Sequence, residues 1–151
     1  MAKTLIRHAV DTDFKVLLEI DKASFPPGVA YDSTELTYFM NRNGAETLVL
    51  EAGGRIVAFL ILGVDRNRGR ATIVTLDVRS EFQRRGCATQ LIVRAEDILR
   101  DHGVKAYDLQ VDVGNAGAIE FYGKNGFKTV RRLQNYYSNG HDAYLMVKRL
   151  D

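Results

Sequence analysis

Residues 80–99 read SEFQRRGCATQLIVRAEDIL, and the fold follows from how this stretch is read. Its second half carries Leu91, Ile92, Ala95, Ile98 and Leu99 on one helical stripe, with Gly103 just beyond as a stop signal. Arg84, Arg85 and Gly86 stand directly in front of that helix. A helix start leaves backbone N–H groups unpaired and carries about half a positive charge, so it suits an anion. Gly86 lets backbone approach a ligand closely, Cys87, Ala88 and Thr89 are small, and the two arginines add fixed charge. The simplest ligand for such a nest is a diphosphate. A solvated basic loop, in which the glycine merely permits a turn, is the plainer alternative. No GK[ST] follows, which excludes a P-loop, and no G-x-G-x-x-G is present, which excludes the dinucleotide fingerprint.

Working outward, RATIVTLDV (70–78) is a strand leading into this turn, and RIVAFLILGVD (55–65) and ETLVLEA (46–52) are two more. Gly53-Gly54 makes a hairpin between the last two, and Asn67 to Gly69 turns the chain into the third. Upstream, TLIRHAV (4–10) reads as a strand and Phe14, Leu17, Leu18 and Ile20 as a helix that Pro26-Pro27 must end. A second helix carries Leu36, Phe39 and Met40, with Ser33 as its expected N-cap and its end near Asn43-Gly44. Downstream, KAYDLQVDV (105–113) alternates as a strand, with Asp108, Gln110 and Asp112 on one face. A short helix runs from an Asn115 cap to Asn125-Gly126, and FKTVRRLQNYY (127–137) and DAYLMVKRL (142–150) close the chain as strands around SNGH. The order β-α-α-β-β-β-α-β-α-β-β predicts an α/β (α+β) fold with one mixed central sheet and helices on its faces.

The chain has 151 residues, 46% apolar and 26% charged, which predicts a single folded domain over 1–151. A net charge of +2 with scattered basic residues gives no nucleic-acid footprint. No apolar run reaches membrane-spanning length, and MAKTLIRHAV lacks the core and cleavage site of a signal peptide. The single cysteine and three histidines show no metal-ligand spacing. A cytoplasmic, metal-free protein is expected, either monomer or homodimer.

Gln83, Arg84, Arg85, Gly86, Cys87 and Ala88, between a strand and a long helix, resemble the [QR]-x-x-G-x-[GA] signature of the GNAT acetyltransferase superfamily. NAGAIEFYGKNGF (115–127) resembles that family's Asn…Ala…Tyr-x-x-x-Gly-Phe segment, and RRLQNYYSNGHDAYLMVKRL (131–150) its closing hairpin. SFPPGVAY (24–31) and the paired tyrosines of NYY (135–137) are similar to the peptide-binding loops of RimI-type N-terminal acetyltransferases. The resemblance implies a GNAT fold whose sheet splays to hold acetyl-CoA. It further implies transfer of an acetyl group to the α-amine of a peptide or protein N-terminus, ribosomal proteins among the candidates. Acetylation of a small amine, or a catalytically weak CoA-binding module, are the alternatives.

Residue by residue, the resemblance implies that backbone at Arg84, Arg85, Gly86, Cys87, Ala88 and Thr89 holds the CoA diphosphate. Leu76, Asp77 and Val78 would pair through their backbone with the pantetheine arm, and an N–H near Val78 would steady the developing oxyanion. Leu76 and Val78 read equally as core, and Asn115 as a helix cap or, with Ala118, a CoA contact. Tyr122 would protonate the departing thiolate; its plain reading is a core aromatic. Phe25, Pro26, Tyr31, Tyr136 and Tyr137 would bind the acceptor peptide.

Gln110 departs from the pattern: RimI-like enzymes usually carry Glu there as the proposed base, and an amide takes no proton. Gln110 orients a water, or Asp112 about 6–7 Å along the strand takes over, or catalysis is poor. Asp77 is a weaker candidate, because strict alternation points it away from Thr72 and Val74. An α-amine with a pKa near 7.8 is roughly one-quarter neutral at pH 7.4, against about one part in a thousand for lysine. A missing carboxylate therefore favours α-amines over lysines. Cys87 is rejected as a nucleophile, and His8, His102 and His141 read as surface residues.

Overall fold

The computed structural model describes residues 3–150. Strand β1 (Thr4–His8) leads through a 3₁₀ turn at Asp11–Asp13 into α1 (Phe14–Ser24), and α2 (Ser33–Asn41) follows the proline segment. Strands β2 (Ala45–Ala52), β3 (Arg55–Asp65) and β4 (Arg70–Val78) form a meander, then come α3 (Cys87–Asp101), β5 (Ala106–Asp112) and α4 (Ala116–Lys124). Strands β6 (Lys128–Leu133) and β7 (Ala143–Arg149) close the chain.

The seven strands form one sheet in the order β1-β2-β3-β4-β5-β7-β6, in which only β4 and β5 run parallel. Residues Val57 to Leu62 of β3 are all buried because helices cover both faces, so β3 reads as a continuous apolar run. On one face Leu91, Ile92, Ala95 and Leu99 of α3 pack on Leu60 and Leu62. On the other, Leu17, Ile20 and Leu36 from α1 and α2 pack on Val49, Phe59 and Ile61. The last strand inserts between β5 and β6, leaving β6 as an edge whose Lys128, Arg131 and Arg132 discourage further pairing.

Three local features differ from expectation. The cap of α2 is Asp32: its carboxylate accepts from Glu35 N–H, and Glu35 returns the bond to Asp32 N–H, a reciprocal box that Ser33 cannot form from inside the helix. That helix ends at Asn41, short of Asn43-Gly44. Strand β6 stops at Leu133 because Asn135 turns left-handed (φ 50°) and gives its N–H to Asp142 Oδ1. Tyr136 and Tyr137 therefore sit on a loop and not on a strand.

One irregularity positions the site. Ile61 pairs with Thr75 but Leu62 pairs with Ile73, so Val74 is an extra residue in β4. The bulge reverses the strand's alternation. Thr75 and Asp77, expected on the α3 face, instead join Val74 on the α1 face, while Leu76 and Val78 pack towards α3.

Candidate active site

Pairing of β4 with β5 runs only from Arg70 opposite Ala106 to Ile73 opposite Leu109. Beyond the bulge the two strands part, while β5 stays paired to β7 as far as Asp112 opposite Ala143. The gap opens into a cleft of about 1160 Å³. Its outer end is the turn that opens α3, where Arg84 (φ 62°) and Gly86 (φ 83°) are left-handed. No oxygen of the described residues accepts from the N–H groups of Arg84 through Thr89; the first helical bond is Gln90 N–H to Gly86 C=O. A Cβ placed on Gly86 would meet nothing within 4 Å, so the concave side of the turn is open. Arg84 and Arg85 are exposed and make no ion pair among the described residues. The turn thus presents a row of unpaired amides and two free arginines, an arrangement suited to an anion.

The inner wall holds an acidic pair. Asp77 is 1% exposed, and Thr75 Oγ1 donates both to its Oδ1 and, at 3.4 Å, to Oδ1 of the fully buried Asp21. Asp77 Oδ2 has no partner. Burial, and then the adjoining Asp21 carboxyl, push Asp77 well above the usual carboxylate range. Asp21 Oδ2 also accepts from Tyr31 N–H at 2.7 Å, which ties the α1–α2 segment to this wall. Tyr31 Oη reaches Val74 C=O at 3.3 Å, on the bulge itself.

Two loops roof the cleft on the α1 side and are fastened to each other. Ser138 Oγ donates to Gly28 C=O at 3.2 Å and Asn139 Nδ2 to Pro27 C=O at 3.4 Å. Gly28 has φ 87°, and a Cβ there would stand 2.7 Å from Asn139 Cβ, so the contact requires glycine. Tyr136 and Tyr137 stack edge to face at 4.9 Å beneath this bridge.

Comparison with known proteins agrees with this geometry. Residues 2–127 match the acetyltransferase (GNAT) family. The chain belongs to that family. The [ribosomal protein bS18]-alanine N-acetyltransferase of Salmonella typhimurium is 36% identical over 122 residues, covering 78% of this chain and 81% of that protein. An N-alpha-acetyltransferase of Sulfurisphaera tokodaii is 27% identical over 160 residues, covering 96% and 92%. The crystal structure of the ribosomal-protein-S18-alanine N-acetyltransferase from Escherichia coli superposes with a TM-score of 0.83 at 27% identity, covering 99% and 95%.

As a GNAT N-acetyltransferase, the chain uses acetyl-CoA as its acetyl donor, and the open cradle and the unpaired β4 and β5 edges fit that ligand. Of the residues singled out in the sequence, Leu76, Asp77 and Val78 on β4, Arg84 and Gly86 to Thr89 on the turn, Gln110 on β5, and Asn115, Ala118 and Tyr122 on α4 line the one cleft; Arg85 does not, its guanidinium lying 5.4 Å from the Phe82 ring centroid. Phe25, Pro26, Tyr31, Tyr136 and Tyr137 line it from the roof. Asn115 does cap α4, its Oδ1 accepting from Ala118 N–H at 3.2 Å, which leaves its amide N–H₂ for a ligand. Tyr122 is 7% exposed, packed edge-on against Phe121 and Phe127, and its hydroxyl makes no hydrogen bond among the described residues. Burial, then the Asp77 and Tyr137 groups, push that hydroxyl up, so it stays protonated. Burial likewise pushes the Cys87 thiol up, against the pull of Arg85, consistent with an inert side chain under the turn.

Two features of the site were missed in the sequence. Asp77 faces the acceptor side of the cleft, because the Val74 bulge overrides alternation. His141 is exposed, as expected of a surface residue, but its ring also lines the cleft, with Nδ1 2.8 Å from Asp112 Oδ2. No spacing rule connects positions 112 and 141; only the β5–β7 register brings them together. Among the described residues, no three metal-ligating side chains cluster, and no helix is long and apolar enough to cross a membrane.

Proposed function

We propose that the chain acts as one catalytic domain transferring the acetyl group of acetyl-CoA to the α-amine of a protein or peptide N-terminus. The observation that carries this reading is the pair of fastened loops over the acceptor side of the splay. Phe25-Pro26 and Tyr136-Tyr137 form an aromatic roof whose bridge, Ser138 to Gly28 and Asn139 to Pro27, leaves a passage suited to a chain end.

The N–H groups of Arg84 to Thr89 hold the diphosphate, and the free backbone edge of Leu76 to Val78 receives the pantetheine amides as an added strand. The acceptor amine attacks the thioester carbonyl in the splay, where an N–H near Val78 faces the developing charge. Tyr122, kept protonated by burial, gives the leaving sulfur its proton. Ribosomal proteins are candidate acceptors, because relatives are named for them, and a cytoplasmic setting belongs to the same proposal.

Thiol release measured on peptides with free N-termini, on the same peptides with a blocked N-terminus and one lysine, and on small polyamines tests the reading. Saturable turnover on the free N-termini is expected. Turnover confined to the lysine peptides or the polyamines overturns it.

A further inference from the structure

Gln110 cannot take a proton, and Asp77 is 1% exposed, with Oδ1 occupied by the Thr75 hydroxyl and Asp21 beside it. Asp112, at the end of β5, is different. It is 9% exposed, and its Oδ1 accepts from Gly114 N–H at 2.9 Å while Oδ2 meets His141 Nδ1 at 2.8 Å. Burial acts to raise this carboxyl, but the Gly114 N–H and His141 outweigh it and hold the group below its usual range. A carboxylate only accepts, so His141 Nδ1 carries the hydrogen, and in the neutral form of the ring the lone pair is on Nε2. Nε2 has no partner among the described residues, and the ring lines the cleft.

The backbone that carries the imidazole is also held in place. His141 N–H donates to Asn139 Oδ1 at 3.0 Å, and its C=O accepts from Tyr137 N–H at 3.1 Å. The neighbouring Asp142 is fixed by Arg132 at 2.8 Å and by Asn135 N–H at 2.9 Å. The loop that roofs the acceptor passage therefore also aims the ring, because the same turn carries the Ser138 and Asn139 bridge to the proline segment. The charged and titratable groups facing His141 are Asp112 from β5 and Asp142 and Tyr137 from the loop.

We propose that His141, oriented by Asp112, is the base that takes the proton of the acceptor ammonium in this enzyme, in the place that Gln110 leaves empty. The inference rests on α-amine acetylation as the reaction. The ammonium gives one proton to Nε2, directly or through one water, and the freed nitrogen forms its bond to the acetyl carbon as the carbon–sulfur bond breaks. Once the carbon–nitrogen bond has formed, nitrogen gives its second surplus proton to solvent, and solvent returns one to the Tyr122 oxygen, which has protonated the sulfur. The imidazolium, stabilised by Asp112, returns its proton to solvent through its half-exposed ring. An α-ammonium is more acidic than a lysine ammonium by more than about two pKa units, so it is the acceptor that a neutral side-chain base deprotonates more readily.

The test is the pH dependence of kcat/KM on a free N-terminal peptide for the wild type, His141→Gln and Asp112→Asn, with acetyl-CoA affinity measured alongside. Glutamine keeps a donor towards Asp112 but has no basic nitrogen. Asparagine keeps the Gly114 bond but turns its N–H₂ to the ring, which reverses the tautomer. At pH 7 about one in seven α-amines arrives neutral, so each variant should fall about sevenfold there. At pH 9, where the substrate arrives deprotonated, the deficit should vanish. Acetyl-CoA affinity should not move. A deficit of the same size at every pH would mean that the pair only shapes the loop, and no deficit would mean that it is idle; either overturns the proposal. A wild type that leaves the free N-terminus unacetylated overturns both this inference and the α-amine reading. An active wild type with an equally active His141→Gln overturns this inference alone.

Discussion

Replacing Tyr122 by Phe removes one oxygen from the site and little else. The ring sits 5.4 Å from Phe121 and 5.5 Å from Phe127, both edge-on, and those contacts survive the substitution. The hydroxyl has no hydrogen-bond partner among the described residues, so folding stability should change by less than about 1 kcal/mol. Turnover is another matter. A positioned proton donor contributes about 10²–10⁴-fold, or about 3–5 kcal/mol at 1.36 kcal/mol per decade. Because burial keeps the wild-type hydroxyl protonated well into alkaline pH, the defect should be constant from pH 6 to pH 9, unlike that of His141→Gln. Single-turnover thiol release separates chemistry from product release, and calorimetry reports acetyl-CoA affinity, which should hold within about twofold. A drop in the chemical step of less than about threefold would refute the assignment of Tyr122 as the donor. So would a loss that appears wholly as weaker acetyl-CoA binding.

Gly86→Ala forces an L side chain into φ 83°, so stability should fall by about 1–2 kcal/mol and acetyl-CoA affinity more than tenfold, read by melting and calorimetry; unchanged affinity would remove the turn from binding. Asp32→Ala breaks the reciprocal cap of α2 and should cost about 0.5–2 kcal/mol in urea unfolding, with Ser33→Ala nearly silent. Asp13 lies below its ordinary 3.8, chiefly through the hydrogen bond from Arg7 and against the pull of burial. A folded pKa below the unfolded one stabilises the protein above about pH 4 and ceases to do so as pH falls further. The urea midpoint should therefore drop more between pH 6 and pH 3 in the wild type than in Asp13→Asn; parallel drops would refute the linkage.

Much of the site could be read from residues close together in the chain. The stripe on α3, the left-handed Gly86 before it, the Asn115 cap and the tight hairpin at Gly53-Gly54 all depend on backbone geometry within a few residues. Composition and periodicity also determined the mixed sheet, since strands joined through helices must run parallel somewhere and strands joined by tight turns cannot. Long-range pairing alone decided the rest. One unpaired residue at Val74 moves Asp77 from one face of the sheet to the other, and nothing in RATIVTLDV marks the step, because a bulge is a property of two strands together. The last strand lies inside the sheet, so its preceding turn folds back over β5 and puts His141 against Asp112, 29 residues away. Local propensity is set by each residue's own torsions, whereas register is set by which surfaces the whole chain must bury. That is why the left-handed turn before α3 was legible in the sequence, whereas the contact of His141 with Asp112 became visible only in the folded molecule.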